Sequence, residues 1–495
     1  MDIVHILQQA VALHQQGRFA QAEGLYLQVL QVQPDNFDAM HLLGVLARQT
    51  ARPELALDLI SRAIRIDPQQ AAAYCNAGAA LQDLGRTEEA LASYQKALEL
   101  KPDYAFALNN RGNALSKLLR HDEALVSYRQ AIAVKPDYAE AHHSHGTVLH
   151  KLHRYEAALL SYRRALQLNP GFVDALNSQG IALHALRDFE AAIASYERVL
   201  QIRPGHADAW RNRGMALQKL QRFRQAVDSY EQALCINPQF ANAHLYRANS
   251  LRSLGRVDEA VAAYVRAREL GADPEQINYA LAALGVVAAP AAAPAAYVKE
   301  LFDQYAGHFD RHLLQDLHYR TPALLVDLLR QSGPAGALDI VDLGCGTGLC
   351  GPLLKPMSRT LVGVDISSNM LEQAAQKNIY DHLVCAEITD FLAQGRDCYD
   401  VALAADVFVY IGDLAGIFAA ARQALRVGGR FSFSVEVSGH EDILLQASQR
   451  FAHSAVYLQR MAQEYGFAVG EMKSCILRRD KGAELDGYLV VMRRL

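Results

Sequence analysis

Small and apolar positions recur at a fixed interval along the first half of the chain. Pro34, Pro68, Pro102, Pro136, Pro170, Pro204 and Pro238 follow one another every 34 residues without a gap. Twenty-four positions ahead of the later six stand Gly44, Gly78, Gly112, Gly146, Gly180 and Gly214. Twelve ahead is always alanine, from Ala22 to Ala226, and eight ahead is tyrosine in six copies of seven, with Ile60 the exception. An eighth copy keeps Ala260, Tyr264 and Ala267, but places Ala248 where the glycine would be and moves its proline to Pro274. Small residues on two antiparallel helices let the backbones approach, the tyrosine fills the space around that contact, and proline stops the second helix. The pattern predicts helix pairs stacked in series. Trp210 occupies a first-helix slot held elsewhere by Tyr74, Leu108, His142, Leu176 and His244, and is expected in the core.

From residue 339 the pattern changes to short apolar runs: "DIVDLG", "TLVGVDIS", "HLVCAEI", "DVALAADV", "RFSFSVEV" and "YLVVMRRL". Helical stretches such as "SNMLEQAAQK" and "LAGIFAAARQAL" alternate with them. That alternation predicts a mostly parallel sheet covered by helices, with its ligand at the carboxyl ends of the strands. Between the two patterns, "PEQINYALAALG" (274–285) predicts a helix capping the stack, and "VVAAPAAAPAA" (286–296) a short, semi-stiff connector. Residues 297–329 predict two helices, the second starting at Pro322 with Thr321 as its cap. The expected organisation is a solenoid over 1–285, a linker over 286–296 and an α/β domain over 297–495.

The chain has 495 residues, enough for more than one core, and its net charge of −4 shows no basic excess, so no nucleic-acid partner is expected. Seven cysteines without C-x-x-C spacing suit a reducing compartment. No run is apolar and long enough to span a bilayer, and the opening "MDIVHILQQAVALHQQGRF" is no signal peptide, so no membrane partner and a cytoplasmic location are expected.

Residues 340–351, "IVDLGCGTGLCG", admit two ligands. Gly346, Gly348 and Gly351 fit the G-x-G-x-x-G turn of a dinucleotide site, whereas Asp342, Gly344, Gly346 and Gly348 fit the D-x-G-x-G-x-G turn of an S-adenosylmethionine site. The dinucleotide reading leaves an acid in the strand and a spare glycine; the second uses every residue. Asp365, ending the next strand, could grip ribose in either case. The later strand ends, Ala386-Glu387-Ile388 and Ala405-Asp406-Val407, and the turn in "LRVGGRFSFSVE" complete a succession over 339–436 that resembles the class I S-adenosylmethionine-dependent methyltransferases. The resemblance implies S-adenosylmethionine as cofactor. Asp342, Gly344, Cys345, Gly346 and Gly348 would hold its methionine portion, Asp365 and Ile366 its ribose, Glu387 and Ile388 its adenine edge, and Asp406 would lie beside the methyl group. The Cys345 thiol would be incidental. The N-P-P-Y turn of the amide- and base-methylating branches is absent, "ADVFVY" standing in its place.

The 34-residue unit resembles the tetratricopeptide repeat, a helix-turn-helix module with a concave face made by its first helices. In the similar repeats of the O-linked N-acetylglucosamine transferase family, asparagines on that face hold peptide backbones. The resemblance marks Asn76, Asn110 and Asn212, with Asn109 and Asn177, as binders of a protein or peptide. Repeats joined to "LFDQYAGHFDRHL" and "QRFAHSAVYLQRMAQEYGF" are similar to predicted bacterial methyltransferases that carry tetratricopeptide repeats. Tyr305 and Phe309 resemble the residues that cover the cofactor in small-molecule methyltransferases. Arg450, His453 and Tyr457, at helical spacing, are the acceptor-binding candidates and suit an anionic acceptor; Tyr410, His312 and Glu436 rank below them. "HHSH" (His142, His143, His145) lacks an acid or cysteine partner, and no metal is expected. The competing expectation is a repeat scaffold whose methyltransferase-like domain is inactive. The acceptor and the oligomeric state are not legible.

Overall fold

The computed structural model describes residues 3–311, 313–314, 319–333, 336–439, 441–480 and 483–495. It divides into two compact units, Met1–Leu254 and Gly255–Leu495.

The first unit is helical throughout its described residues. First helices of 13 residues (Ile3–Gln15, Phe37–Gln49 and onward to Ala241–Ser253) alternate with second helices of 14 (Phe19–Val32, Pro53–Ile66 and onward to Phe223–Ile236). The glycine–tyrosine pattern has a direct steric cause. A Cβ on Gly78, Gly112, Gly146, Gly180 or Gly214 would lie 2.5–2.7 Å from the ring of Tyr94, Tyr128, Tyr162, Tyr196 or Tyr230, and on Gly44 it would meet Ile60. The tyrosines are buried, and several bond their hydroxyls to a polar side chain of the preceding helix, as Tyr94 does to Gln82 and Tyr128 to Asn113. Each helix pair reverses through a residue with positive φ: Gly17, Ala51, Gly85, Leu119, His153, Arg187 and Gln221. First helices of successive repeats approach one another more closely than the second helices do, which makes the first-helix face the inner one. Trp210 departs from expectation. It is only partly buried, and its indole N–H donates to the carbonyl of Pro204 at 2.9 Å; His142 and His244 meet Pro136 and Pro238 in the same way. The slot is a clasp on the inter-repeat turn, so it needs a polar tip as well as an apolar body.

Among its described residues the second unit contains nine strands: β1 (Leu338–Leu343), β2 (Ser358–Asp365), β3 (His382–Cys385), β4 (Tyr399–Ala404), β5 (Leu425–Val437), β6 (Ile443–Leu445), β7 (Phe451–His453), β8 (Phe467–Asp480) and β9 (Ala483–Arg494). The parallel core runs β3-β2-β1-β4-β5; β9 lies antiparallel on β5 and β8 on β9. β7 joins the end of β5 in parallel and pairs with β6. Alternation along β1 sends Ile340 into one core with Leu325, Leu329 and Leu361, and Val341 and Leu343 into another with Phe418 and Phe431. A sheet covered on both faces needs apolar side chains on both, hence the uninterrupted runs in the sequence.

Two expectations are corrected. The stretch 449–467 is not one helix: β7 ends at His453, and a helix, Ala455–Glu464, starts behind Ser454, whose hydroxyl accepts from the Tyr457 N–H. Thr321 does not cap its helix, because its hydroxyl is buried and donates to the Leu477 carbonyl of β8. The alanine–proline segment is fixed to the second unit by backbone bonds. The Ala291 carbonyl accepts from the N–H groups of Gly412 and Asp413 at 2.8 Å each, and the Ala293 N–H donates to the Tyr410 carbonyl at 2.8 Å. Beyond it, the capping helix Pro274–Ala283 packs Tyr279 against Phe451, and the Tyr279 hydroxyl donates to the Gln449 carbonyl.

Candidate active site

The turn after β1 carries three residues of positive φ, Gly344 (63°), Gly346 (53°) and Gly348 (87°). At Gly344 a Cβ would strike Val407 at 2.5 Å and at Gly348 it would strike Tyr380 at 2.9 Å, so conformation and space both demand glycine. Three N–H groups of this turn are spent internally. Cys345 donates to the Val364 carbonyl, Gly348 to the Cys345 carbonyl, and Gly346 to the Asp365 carboxylate at 2.8 Å. The second Asp365 oxygen accepts from the Ser367 N–H at 2.9 Å. Asp342 is 1% exposed and accepts from the Tyr380 hydroxyl at 2.6 Å. Among the described residues neither aspartate has a lysine or arginine partner.

Burial pushes Asp342 up to about 7, against one hydrogen bond pulling it down, and burial also raises Asp365. Two buried carboxylates without a cation among the described residues would repel a pyrophosphate, and the Cys345, Gly346 and Gly348 N–H groups are not free to cradle one. A ligand with an ammonium or sulfonium charge and ribose hydroxyls fits instead. Above the turn, the Phe309 ring lies 3.7 Å from where a Cβ on Gly346 would stand, and Tyr305 packs edge-on against it at 5.1 Å. Ser367 bonds the Asp303 carboxylate at 2.6 Å, and Asp310 is tied to Thr347 and to Lys377, so the segment carrying both rings is fastened to the turn.

At the end of β4, Asp406 has φ +58°, a strained value for a residue other than glycine. Its N–H donates to Ser434 on β5, and its carboxylate accepts from Ser434 and from Arg478 of β8. Arg478 extends to Glu436 at 2.7 Å, and the Arg450 Nε lies 2.8 Å from the same Glu436 oxygen. The Arg450 guanidinium sits over the Tyr410 ring, 5.6 Å from its centre. Buried Tyr319 adjoins this chain of charges, and burial followed by the Asp406 charge raises its phenol well above the ordinary range.

The family described as "Methyltransferase domain" matches residues 341–433. Families described as "Tetratricopeptide repeat" match 7–71, 105–138, 143–207 and 179–251, and one described as "TPR repeat" matches 81–118. The chain joins tetratricopeptide repeats to a methyltransferase domain. Curated relatives include the Biotin biosynthesis bifunctional protein BioHC of Saccharophagus degradans, 31% identical over 22% of this chain and 20% of that protein. The Malonyl-[acyl-carrier protein] O-methyltransferase of Pseudescherichia vulneris is 29% identical over 31% of this chain and 58% of that one. The Ubiquinone biosynthesis O-methyltransferase of Aromatoleum aromaticum is 29% identical over 24% and 52%. The chain thus spans between a fifth and three fifths of the length of these relatives. Among solved structures, YrrB, a TPR protein, is 29% identical over 37% of this chain and 95% of its own, with a TM-score of 0.33.

Within the methyltransferase domain the other expected residues fall as follows. Cys345 is buried, and its thiol is pushed well above the usual range by desolvation. Ile366 is half-buried beside Asp365. Glu387 caps the helix Ile388–Ala393, accepting from Thr389 and Asp390, and Ile388 is buried behind it. His453 does not face an acceptor. It is wholly buried, its Nε2 bonds the Gly412 carbonyl at 2.8 Å, and desolvation lowers it to about 4, leaving it neutral near pH 7. Tyr457 is likewise internal: its hydroxyl accepts from the Leu414 N–H and meets Asp413. Of the three acceptor candidates, Arg450 alone reaches the strand ends, together with Tyr410 and Glu436. His312 lies outside the described residues. Arg478, Tyr319 and Tyr380 were not anticipated; they come from remote stretches and carry no motif.

On the repeats, the expected asparagines bond sideways. Asn76 meets His41 at 2.9 Å, Asn110 lies 3.8 Å from the Cys75 sulfur, and Asn212 donates to Asn177 at 3.4 Å, each pair 35 residues apart. His143 meets Ser178 in the same register. The amides knit neighbouring repeats, and Asn212 is buried, so a peptide would find only part of their bonding capacity free.

Proposed function

We propose that residues 297–495 transfer a methyl group from S-adenosylmethionine to an acceptor, that the repeats of 1–285 recruit a protein or peptide, and that 286–296 joins them. The observation that carries this reading is the pair of buried carboxylates, without a cation among the described residues, around a glycine turn that spends its Gly346 N–H on one of them. The cofactor supplies an electrophilic methyl group on a cationic sulfur. Asp342 is placed to receive its ammonium and Asp365 its ribose, while Phe309 and Tyr305 roof the turn and exclude water, leaving orientation to supply much of the rate. Relatives named as O-methyltransferases support an oxygen acceptor. An intact turn with both aspartates disfavours a silent scaffold.

No helix among the described residues is long and apolar enough to cross a membrane, which agrees with work in the cytoplasm. The test is calorimetry of the full chain with S-adenosylmethionine, S-adenosylhomocysteine and NAD. Binding of the first two and not the third supports the assignment; no binding leaves the scaffold ahead. For the repeats, Asn76→Ala with Asn110→Ala should reduce capture of protein partners, and unchanged capture would count against recognition through that face.

A further inference from the structure

Resting on the methyltransferase reading, we propose that the acceptor presents a carboxylate to Arg450 and is methylated on it. Arg450 and Arg478 share one Glu436 oxygen, but they are not equivalent. Arg478 is consumed, bonded at 2.7 Å to both Asp406 and Glu436. Arg450 touches Glu436 only through Nε, in a geometry too poor for a hydrogen bond, and its two terminal nitrogens bond nothing among the described residues. Its side chain is 22% exposed, and its guanidinium carbon lies over the Tyr410 ring, 5.6 Å from the centre. A guanidinium fork held by its near edge, with its far edge open, is shaped for a carboxylate taken in two parallel bonds.

The second strand of reasoning concerns bases. A hydroxyl acceptor must lose a proton, and the described groups at the strand ends offer nothing to take it. Both Asp406 oxygens are engaged by Ser434 and Arg478, Glu436 is shared by two arginines, and the His453 Nδ1, though without a partner, is wholly buried and lowered by desolvation to about 4, a weak base out of an acceptor's reach. A carboxylate needs no base. One of its oxygens forms the new bond to the methyl carbon as the carbon–sulfur bond breaks and its electron pair stays on sulfur. One negative and one positive charge become a neutral ester and a neutral thioether, and no proton moves. The ester has lost the charge that Arg450 held, which favours product release.

The experiment incubates the full chain with methyl-tritiated S-adenosylmethionine and an extract of its source cells, then treats the products with mild base. Methyl esters release volatile tritiated methanol, whereas ethers, thioethers and methylamines do not. Volatile label is the expected result. Stable label would overturn the carboxylate proposal while leaving methyl transfer intact, and no label despite cofactor binding would remove both. Arg450→Gln should raise the acceptor KM by at least about tenfold, as for loss of a charged hydrogen-bond partner, with cofactor affinity unchanged. Arg450→Lys should restore only part of it. A readout independent of turnover is ligand-detected NMR with benzoate against benzamide. Benzoate should bind the wild type preferentially and lose that preference in Arg450→Gln; equal behaviour of the two proteins would overturn the proposal.

Discussion

The two units handle buried polar groups in opposite ways. In the repeats the helix pairs meet the same problem and most solve it with recurring contacts: several tyrosine hydroxyls reach across the pair, and amides and imidazoles reach 35 residues to the next repeat. In the methyltransferase unit the polar groups are few, deeply buried and unevenly satisfied. Among the described residues Asp342 and Asp365 have no cation and the Arg450 fork is open, while Asp406 sits at strained φ. Polar satisfaction spread evenly marks a framework; satisfaction withheld at one place marks where a ligand belongs.

The largest effect that would sharpen this contrast is Tyr196→Ala, which removes a fully packed ring from against Gly180 and should cost about 3–5 kcal/mol in urea unfolding of the repeats. Cofactor affinity should not change, and a parallel fall would show that the units are not separable in this sense. Next is Asp365→Ala. Loss of an acceptor serving Gly346, Ser367 and the ribose should weaken cofactor binding by about 2 kcal/mol or more in calorimetry, with a smaller change in melting temperature.

A third prediction follows from Asp342, raised by burial from 3.8 to about 7. Because the folded value is the higher one, this group favours folding fully below 3.8, and that contribution is lost as pH rises through about 7. Cofactor binding has the opposite dependence, since the ammonium needs the ionised form, so affinity should rise as pH passes 7. Asp342→Asn should flatten both profiles; a wild-type affinity independent of pH between 6 and 8 (roughly one unit either side of that value) would break the account of this residue. The smallest effect is Leu119→Gly. Leu119 is 77% exposed at φ 60°, so glycine relieves backbone strain without losing burial and should stabilise the repeats by about 0.5–1 kcal/mol.

What was legible in the sequence follows the same division. The glycine–tyrosine contact could be read because it is copied five times at a fixed period, whereas the positive-φ turn at the same period was hidden, since Ala51, Leu119, His153, Arg187 and Gln221 share no side-chain property. The glycine turn after β1 was readable because its parts are contiguous. Tyr380 and Arg478 were not, because they reach Asp342 and Asp406 across 38 and 72 residues. His453 was misread as helical because spacings of three and four from Arg450 and Tyr457 imitate a helix face; Ser454, a good N-cap residue, was the available sign that a helix begins after it. The attachment of the alanine–proline segment was not legible because the bonds that hold it are made by backbone alone.

The central claim is that two buried aspartates around the Gly344–Gly348 turn form a seat for a cationic nucleoside. The most direct measurement is calorimetric titration of the full chain at pH 8 with S-adenosylmethionine and, separately, with NAD. The account predicts micromolar, one-to-one binding of the sulfonium nucleoside, lost in Asp365→Ala, and no heat from NAD. Binding of NAD at this site, or S-adenosylmethionine binding untouched by Asp365→Ala, would contradict it.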